Sequence, residues 1–156
     1  MLKLVSGGSA YGARLITDLP FRRGEVIYHI SGYRIRAEAT YQTLQVGRGQ
    51  HIEELGVIAY LNHSCRPNTI IDVARLDVIG ARDIVAGEEL SFFYPSTEWE
   101  MDRPFICLCG APQCVRLVAG AKYLSIDTLS RYFINPHIRE MIFETLAQTA
   151  EIDRRA

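Results

Sequence analysis

Four cysteines carry the strongest chemical signal in this chain. Cys107, Cys109 and Cys114 form a CxCxxxxC cluster, and Cys65 stands earlier, in the polar stretch Asn62-His63-Ser64-Cys65-Arg66-Pro67-Asn68. A tetrahedral zinc takes four thiolates at about 2.3 Å, and the chain supplies four with none to spare. Cysteines separated by one residue rarely bridge each other, so a metal site is preferred to two disulfides. The competing account, a set of buried free thiols, explains burial but not the clustering. With Cys65 as fourth ligand the site is closed and structural. Metal binding then becomes part of the folding energy.

A second group of residues ends in a tyrosine: Gly87-Glu88-Glu89-Leu90-Ser91-Phe92-Phe93-Tyr94. A turn feeds an apolar strand there, and a phenol at the strand's end suits either packing or chemistry. Asn62-His63 follows the apolar patch at residues 57–61, which predicts that both polar side chains are held near the core.

The elements that position these groups are short. Apolar, β-branched stretches at residues 13–17, 25–31, 43–46, 69–73, 76–81 and 89–93 predict strands. Gly7-Gly8, Gly47-Arg48-Gly49 and Arg66-Pro67-Asn68 predict the turns between them. Two segments, 18–27 and 83–90, resemble each other, each leading a Gly-Glu into a strand; two similar β-turns account for this. After the cysteine cluster, Ser125 opens a capped helix that Asn135-Pro136 interrupts. From His137 to about Ala150, Ile138, Met141, Ile142, Phe143, Leu146 and Ala147 recur at helical spacing. That amphipathic helix is expected to pack on the domain, with a dimer contact as its second use.

Composition narrows the classes. A chain of 156 residues with 48% hydrophobic and 22% charged residues is expected to form one compact globular domain. Its net charge of −1 gives no global pull toward nucleic acid or anionic membrane, so neither is an expected partner. No apolar run approaches a membrane span, and the N-terminus turns polar too soon for a signal peptide. An intracellular setting, cytoplasmic or nuclear, is expected, with thiols reduced.

Taken together, these motifs resemble the SET-domain lysine methyltransferases. Asn62 to Asn68 is similar to the family's NHSCxPN signature, Gly87 to Tyr94 to its GEELTFDY strand, and Cys107 to Cys114 to its post-SET zinc motif. Ala10-Tyr11-Gly12 resembles the GxG turn that opens the family's cofactor site. The resemblance implies a mainly β fold, a β-clip of small sheets in which the Asn62-His63 segment passes through a pseudoknot. It implies a SET core at residues 1–97, a post-SET zinc segment at 98–120 and a helical tail at 121–156. It also implies S-adenosyl-L-methionine as methyl donor and structural Zn²⁺ on Cys65, Cys107, Cys109 and Cys114. Ala10, Tyr11, Gly12, Asn62 and His63 are then expected at the cofactor, and Tyr94 becomes the catalytic residue. Phe92, two residues earlier, is associated with di- or trimethylation. The implied partner is a protein or peptide with an accessible lysine, a histone among the candidates. Methylation of a small-molecule amine, or an inactive SET module that binds a partner, are the alternatives.

The chain departs from the pattern in places. Ala10 replaces the first glycine of GxG, and Phe93 replaces the aspartate before the tyrosine. Ile30 stands near the place of a family tyrosine, which leaves Tyr28 or Tyr41 to fill the substrate channel. No pre-SET cysteine cluster is present. Trp99 with its flanking glutamates is read either as the lining of a substrate groove or as a surface turn. Gln50 and His51 are read as a solvent-exposed loop in the variable insert. Glu53, Glu54, Glu98 and Glu100 are candidates for an acidic groove, although charges in such loops are usually solvated.

Overall fold

Glycine and proline interrupt almost every apolar run in the sequence, and the strands are correspondingly short. The computed structural model describes residues 1–9 and 12–155. Among these, the strands fall into three two-stranded and two three-stranded sheets. β1 (Leu2–Ser9) and β2 (Gly12–Thr17) form an antiparallel hairpin. β3 (Val26–His29) joins β8 (Thr69–Asp72) and β9 (Asp77–Gly80) in the order β3-β9-β8. β4 (Arg34–Arg36), β5 (Leu44–Gly47) and β6 (Gln50–Glu53) form a third sheet in the order β4-β6-β5. β7 (Asn62–His63) pairs in parallel with β10 (Ser91–Phe92), and β11 (Phe105–Ile106) pairs with β12 (Leu117–Val118). The fold is mainly β, and each of the six expected stretches overlaps an observed strand.

Leu15, Ile30, Leu44, Ile52, Ile58, Leu61, Ile71, Val78, Ile84 and Leu90 make up much of the main core, drawing on nearly every sheet. The two look-alike turns are more than a coincidence of sequence. They lie side by side: Phe21 and Ile84 exchange backbone hydrogen bonds of 2.9 and 2.8 Å, and the Arg23 N–H donates to Asp83 Oδ1 at 2.8 Å. Six of the described strands fall outside the expected stretches, and three of them show why. β4 reads Arg-Ile-Arg and is exposed throughout; it is held by pairing to β6, where Arg36 meets Glu53 at 3.1 Å. The expectation of an exposed loop at Gln50 and His51 is corrected, because His51 is buried on β6. β1 escaped because serine and glycine dilute its second half.

The tail begins with a capped turn, α1 (Ile126–Leu129), whose Thr128 N–H donates to the Ser125 hydroxyl at 3.2 Å. Pro136 does not interrupt a helix; it starts α2 (Pro136–Arg155), where a missing N–H costs nothing. Asn135 just before it is fully buried, and its side-chain amide donates to Ile71 O at 2.8 Å and Ser96 O at 3.0 Å while its oxygen accepts from Val73 N–H at 3.0 Å. Only the first turns of α2 pack: Ile138 and Met141 are buried, whereas Phe143 and Leu146 face outward.

Phe93, at the place where the family resemblance implies aspartate, explains how the tail is seated. Its ring stacks on Tyr132 with centroids 3.6 Å apart and planes 5° apart, in an apolar cluster with Leu129 and Ile138. Restoring the acid as Phe93→Asp buries a charge and empties the socket, so it is expected to cost about 3 kcal/mol or more. Denaturant melts should show this, together with faster proteolysis at residues 121–135. An unchanged midpoint would mean the tail does not depend on this contact.

Candidate active site and metal centre

The parallel pairing of β7 with β10 sets Asn62 opposite Ser91 and His63 opposite Phe92, one residue short of Phe93 and two short of Tyr94. The Asn68 side chain locks that arrangement, donating to Glu89 O and accepting from Ser91 N–H, both at 2.8 Å. Asn62 donates through its amide to Ala13 O and to Glu89 Oε1, each at 2.9 Å, which draws β2 alongside. Gly12, at the start of β2, has φ of 89°, a conformation that suits glycine. Ala10 and Tyr11 lie outside the described residues.

His63 stands between the tyrosine and the cysteines. Its Nδ1 accepts the Tyr94 N–H at 3.2 Å, which leaves the ring proton on Nε2, 3.3 Å from Cys65 Sγ. Phe93, Tyr94 and Phe105 surround the ring at centroid distances of 5.6, 5.3 and 5.9 Å. Burial pulls its pKa down to about 4, so the imidazole is neutral at physiological pH.

A pocket of about 220 Å³ opens beside Tyr94. Leu44, Leu55, Ile58 and Ile71 give it apolar walls, and Phe92 lies 4.7 Å from the Tyr94 ring, centroid to centroid. The Tyr94 hydroxyl donates to Leu61 O at 2.8 Å. Tyr41 lines the pocket, with the Arg103 guanidinium 4.5 Å above its ring. Tyr28 does not line it; it packs against the main core from β3, and Ile30 is buried in that core.

Of the four glutamates considered for an acidic groove, only Glu98 is at this pocket. Glu53 pairs with Arg36, Glu54 with Arg34, and Glu100 with Lys122, all on the surface. Glu98 is buried, accepting from Gln45 N–H at 2.9 Å and from the Thr97 hydroxyl at 3.1 Å. Burial pushes its carboxyl up to about 7, against those two hydrogen bonds. Trp99 turns the other way and joins the cluster beneath the tail. Sequence reasoning did not separate Glu98 from Glu100, which are two residues apart in the same polar stretch after Tyr94.

The cysteines converge. All four sulfurs lie within 4.8 Å of one another, and Cys65 and Cys107 are 3.9 Å apart. Tetrahedral zinc with bonds of about 2.3 Å needs sulfurs roughly 3.8 Å apart, so the donor set fits that ion. Backbone amides already aim at the sulfurs: Val115 N–H at Cys65 and Arg116 N–H at Cys114, both 3.4 Å. Burial pushes the Cys65 thiol up; at Cys109 burial is outweighed by the Ala111 N–H and neighbouring groups, which bring it down to about 7. Four protein ligands leave no open position, so the site serves structure.

Comparisons with known proteins agree with this layout. A family model described as SET domain matches residues 12–95. The methyltransferase flvH of Aspergillus flavus is 37% identical over 145 residues, covering 90% of this chain and 80% of that protein. A histone-lysine N-methyltransferase of Aspergillus oryzae, specific for H3 lysine 36, is 30% identical over 121 residues; the match covers 70% of this chain but only 12% of the relative. Among solved structures, KRYPTONITE in complex with mCHH DNA, an H3(1-15) peptide and SAH superposes with a TM-score of 0.56, at 20% identity, over 74% of this chain and 29% of that one. The methyltransferase domain of human SETMAR gives a TM-score of 0.56 at 18% identity, over 76% of this chain and 58% of its own. At those identities the two structures establish the fold. Among the described residues no helix is long and apolar enough to cross a membrane.

Proposed function

Because this chain belongs to the SET-domain family of methyltransferases, we propose that it transfers methyl groups from S-adenosylmethionine to primary amines, the ε-amine of a protein lysine first among them. The observation that carries this reading is the apolar channel beside Tyr94. Bound S-adenosylmethionine supplies an electrophilic methyl group. Everything else falls to the chain, and for an in-line displacement that work is mainly positioning.

An amine must arrive at the methyl group without its proton, although a free lysine has a pKa of about 10.4. A dry channel disfavours the ammonium and lowers that value. Tyr94, its proton committed to Leu61 O, presents an oxygen that orients the amine and stabilises charge on the methyl group in flight. Gly12, Asn62 and His63 would hold the donor; Ala10 and Tyr11, expected there from the sequence, lie outside the described residues. Phe92 carries no hydroxyl to retain a water next to the amine, which supports addition of a second and third methyl group.

The donor site is tested by calorimetric titration of zinc-loaded protein with S-adenosylhomocysteine. Micromolar binding is expected, weakened about tenfold or more (about 1.4 kcal/mol) in Asn62→Ala. Folded, metal-loaded protein that binds neither donor nor product would overturn the reading. A second reading is methylation of a small-molecule amine, which the apolar pocket of about 220 Å³ beside Tyr94 would also admit. A free alkylamine preferred over lysine peptides in one competition assay would select it.

A further inference from the structure

Among the described residues, Glu98 is the one buried carboxylate lining the channel, and the reading above gives it no role. Its Oε1 is taken by the Gln45 N–H and the Thr97 hydroxyl, whose residues are themselves buried. Its Oε2 has no protein partner among the described residues, yet it is not among the sealed polar atoms. Nor does any described lysine, arginine or histidine form an ion pair with it; the neighbouring Glu100 has Lys122 instead. Burying an unpaired carboxylate is costly. A cation arriving with the ligand would offset that cost.

We propose that Glu98 Oε2 receives the substrate as its ammonium and takes up the proton that must leave before methyl transfer. This rests on the amine-methyltransferase reading above and deepens it. One N–H bond of the ammonium breaks and its proton goes to Oε2. The electron pair left on nitrogen then bonds to the donor's methyl carbon, whose bond to sulfur breaks. The carboxylic acid afterwards returns its proton to bulk water through the channel mouth.

The surroundings suit this role. Tyr41, Tyr94, Asp102 and Arg103 line the same pocket as Glu98, whose N–H donates to Tyr94 O at 3.0 Å. Behind it, His137 Nε2 bonds to Thr97 O at 2.8 Å, with His51 nearby; burial lowers the pKa of both histidines, keeping them neutral. Burial, and no neighbouring charge, places the Glu98 carboxyl at about 7, close to the pH at which a general base works best.

Glu98→Gln tests this, because it keeps the acceptor at Oε1 and loses only the charge. Folding is controlled first. A carboxyl whose folded pKa is raised stabilises least at high pH, its contribution being lost as pH climbs from about 4.5 through about 7. The variant should therefore melt no lower than wild type above neutrality. Methyl transfer to n-butylamine and to a lysine peptide is then followed against pH. At about pH 7.5 the variant should lose about 10³-fold in kcat/KM. It should recover roughly tenfold per pH unit as solution supplies neutral amine, converging on wild type near the amine's pKa of about 10.4. Calorimetry on S-adenosylhomocysteine-loaded protein should also show n-butylammonium binding at least tenfold weaker. A variant with the wild-type profile, or with a loss equal at every pH, would overturn the proposal while leaving the methyltransferase reading intact. Folded wild type inert toward both amines would instead sink that reading, and this proposal with it.

Discussion

Stripping the metal from the four-cysteine site is expected to unfold far more than the loop that carries it. Structural zinc sites contribute on the order of 10 kcal/mol in apparent folding energy, comparable to the whole stability of a domain this size, about 5–15 kcal/mol. The position of Cys65 spreads that loss inward. It is fully buried between His63, which holds the Tyr94 N–H, and Asn68, which holds the 89–91 segment. Its carbonyl also accepts from Gln113 at 3.1 Å and from the Tyr132 hydroxyl at 2.9 Å, so the cluster loop and the tail meet on one residue. Thermal melts with and without a strong chelator should show a large fall in midpoint, and Cys65→Ser should behave like the stripped protein. Equal midpoints would mean that the thiols hold no metal.

Tyr94→Phe is expected to lower methyl transfer by about 10³-fold, or about 4 kcal/mol of transition-state stabilisation. The ring contacts survive the change: 4.7 Å to Phe92, 5.3 Å to His63 and 6.0 Å to Phe105, between centroids. The hydroxyl and its bond to Leu61 O are lost, with a stability cost of about 1 kcal/mol. Donor affinity should therefore stay at the wild-type value while turnover collapses. A variant that retains activity within a few-fold would remove the phenol from the chemistry.

What could be read in the sequence followed from how locally each signal is encoded. The cysteines and the Gly87-to-Tyr94 strand speak through spacing, and spacing survives folding; the SET fold and its cysteine cluster follow from them. The six apolar strands were legible for the same reason. β4 and His51 were not, because their place depends on partners across a sheet rather than on their own side chains. Glu98 and Glu100 are near neighbours with similar surroundings in sequence, yet one is buried beside Gln45 and the other pairs with Lys122 at the surface. That difference is made by β5, far away along the chain. Phe93 is a departure whose meaning appears only when Tyr132 is seen stacked on it.

Asn135 carries a consequence for how the protein is made. Its side chain joins Ile71, Val73 and Ser96, segments synthesised well before it, and until it arrives those backbone groups have no permanent partner. Closing such distant contacts is slow. A chain that stops short of Asn135 can still pair its middle strands, but leaves these three backbone groups without that partner and the apolar cluster around Phe93 uncovered. Docking of residues 121–138 is therefore expected to come late in folding, as the step that closes the contacts of Asn135.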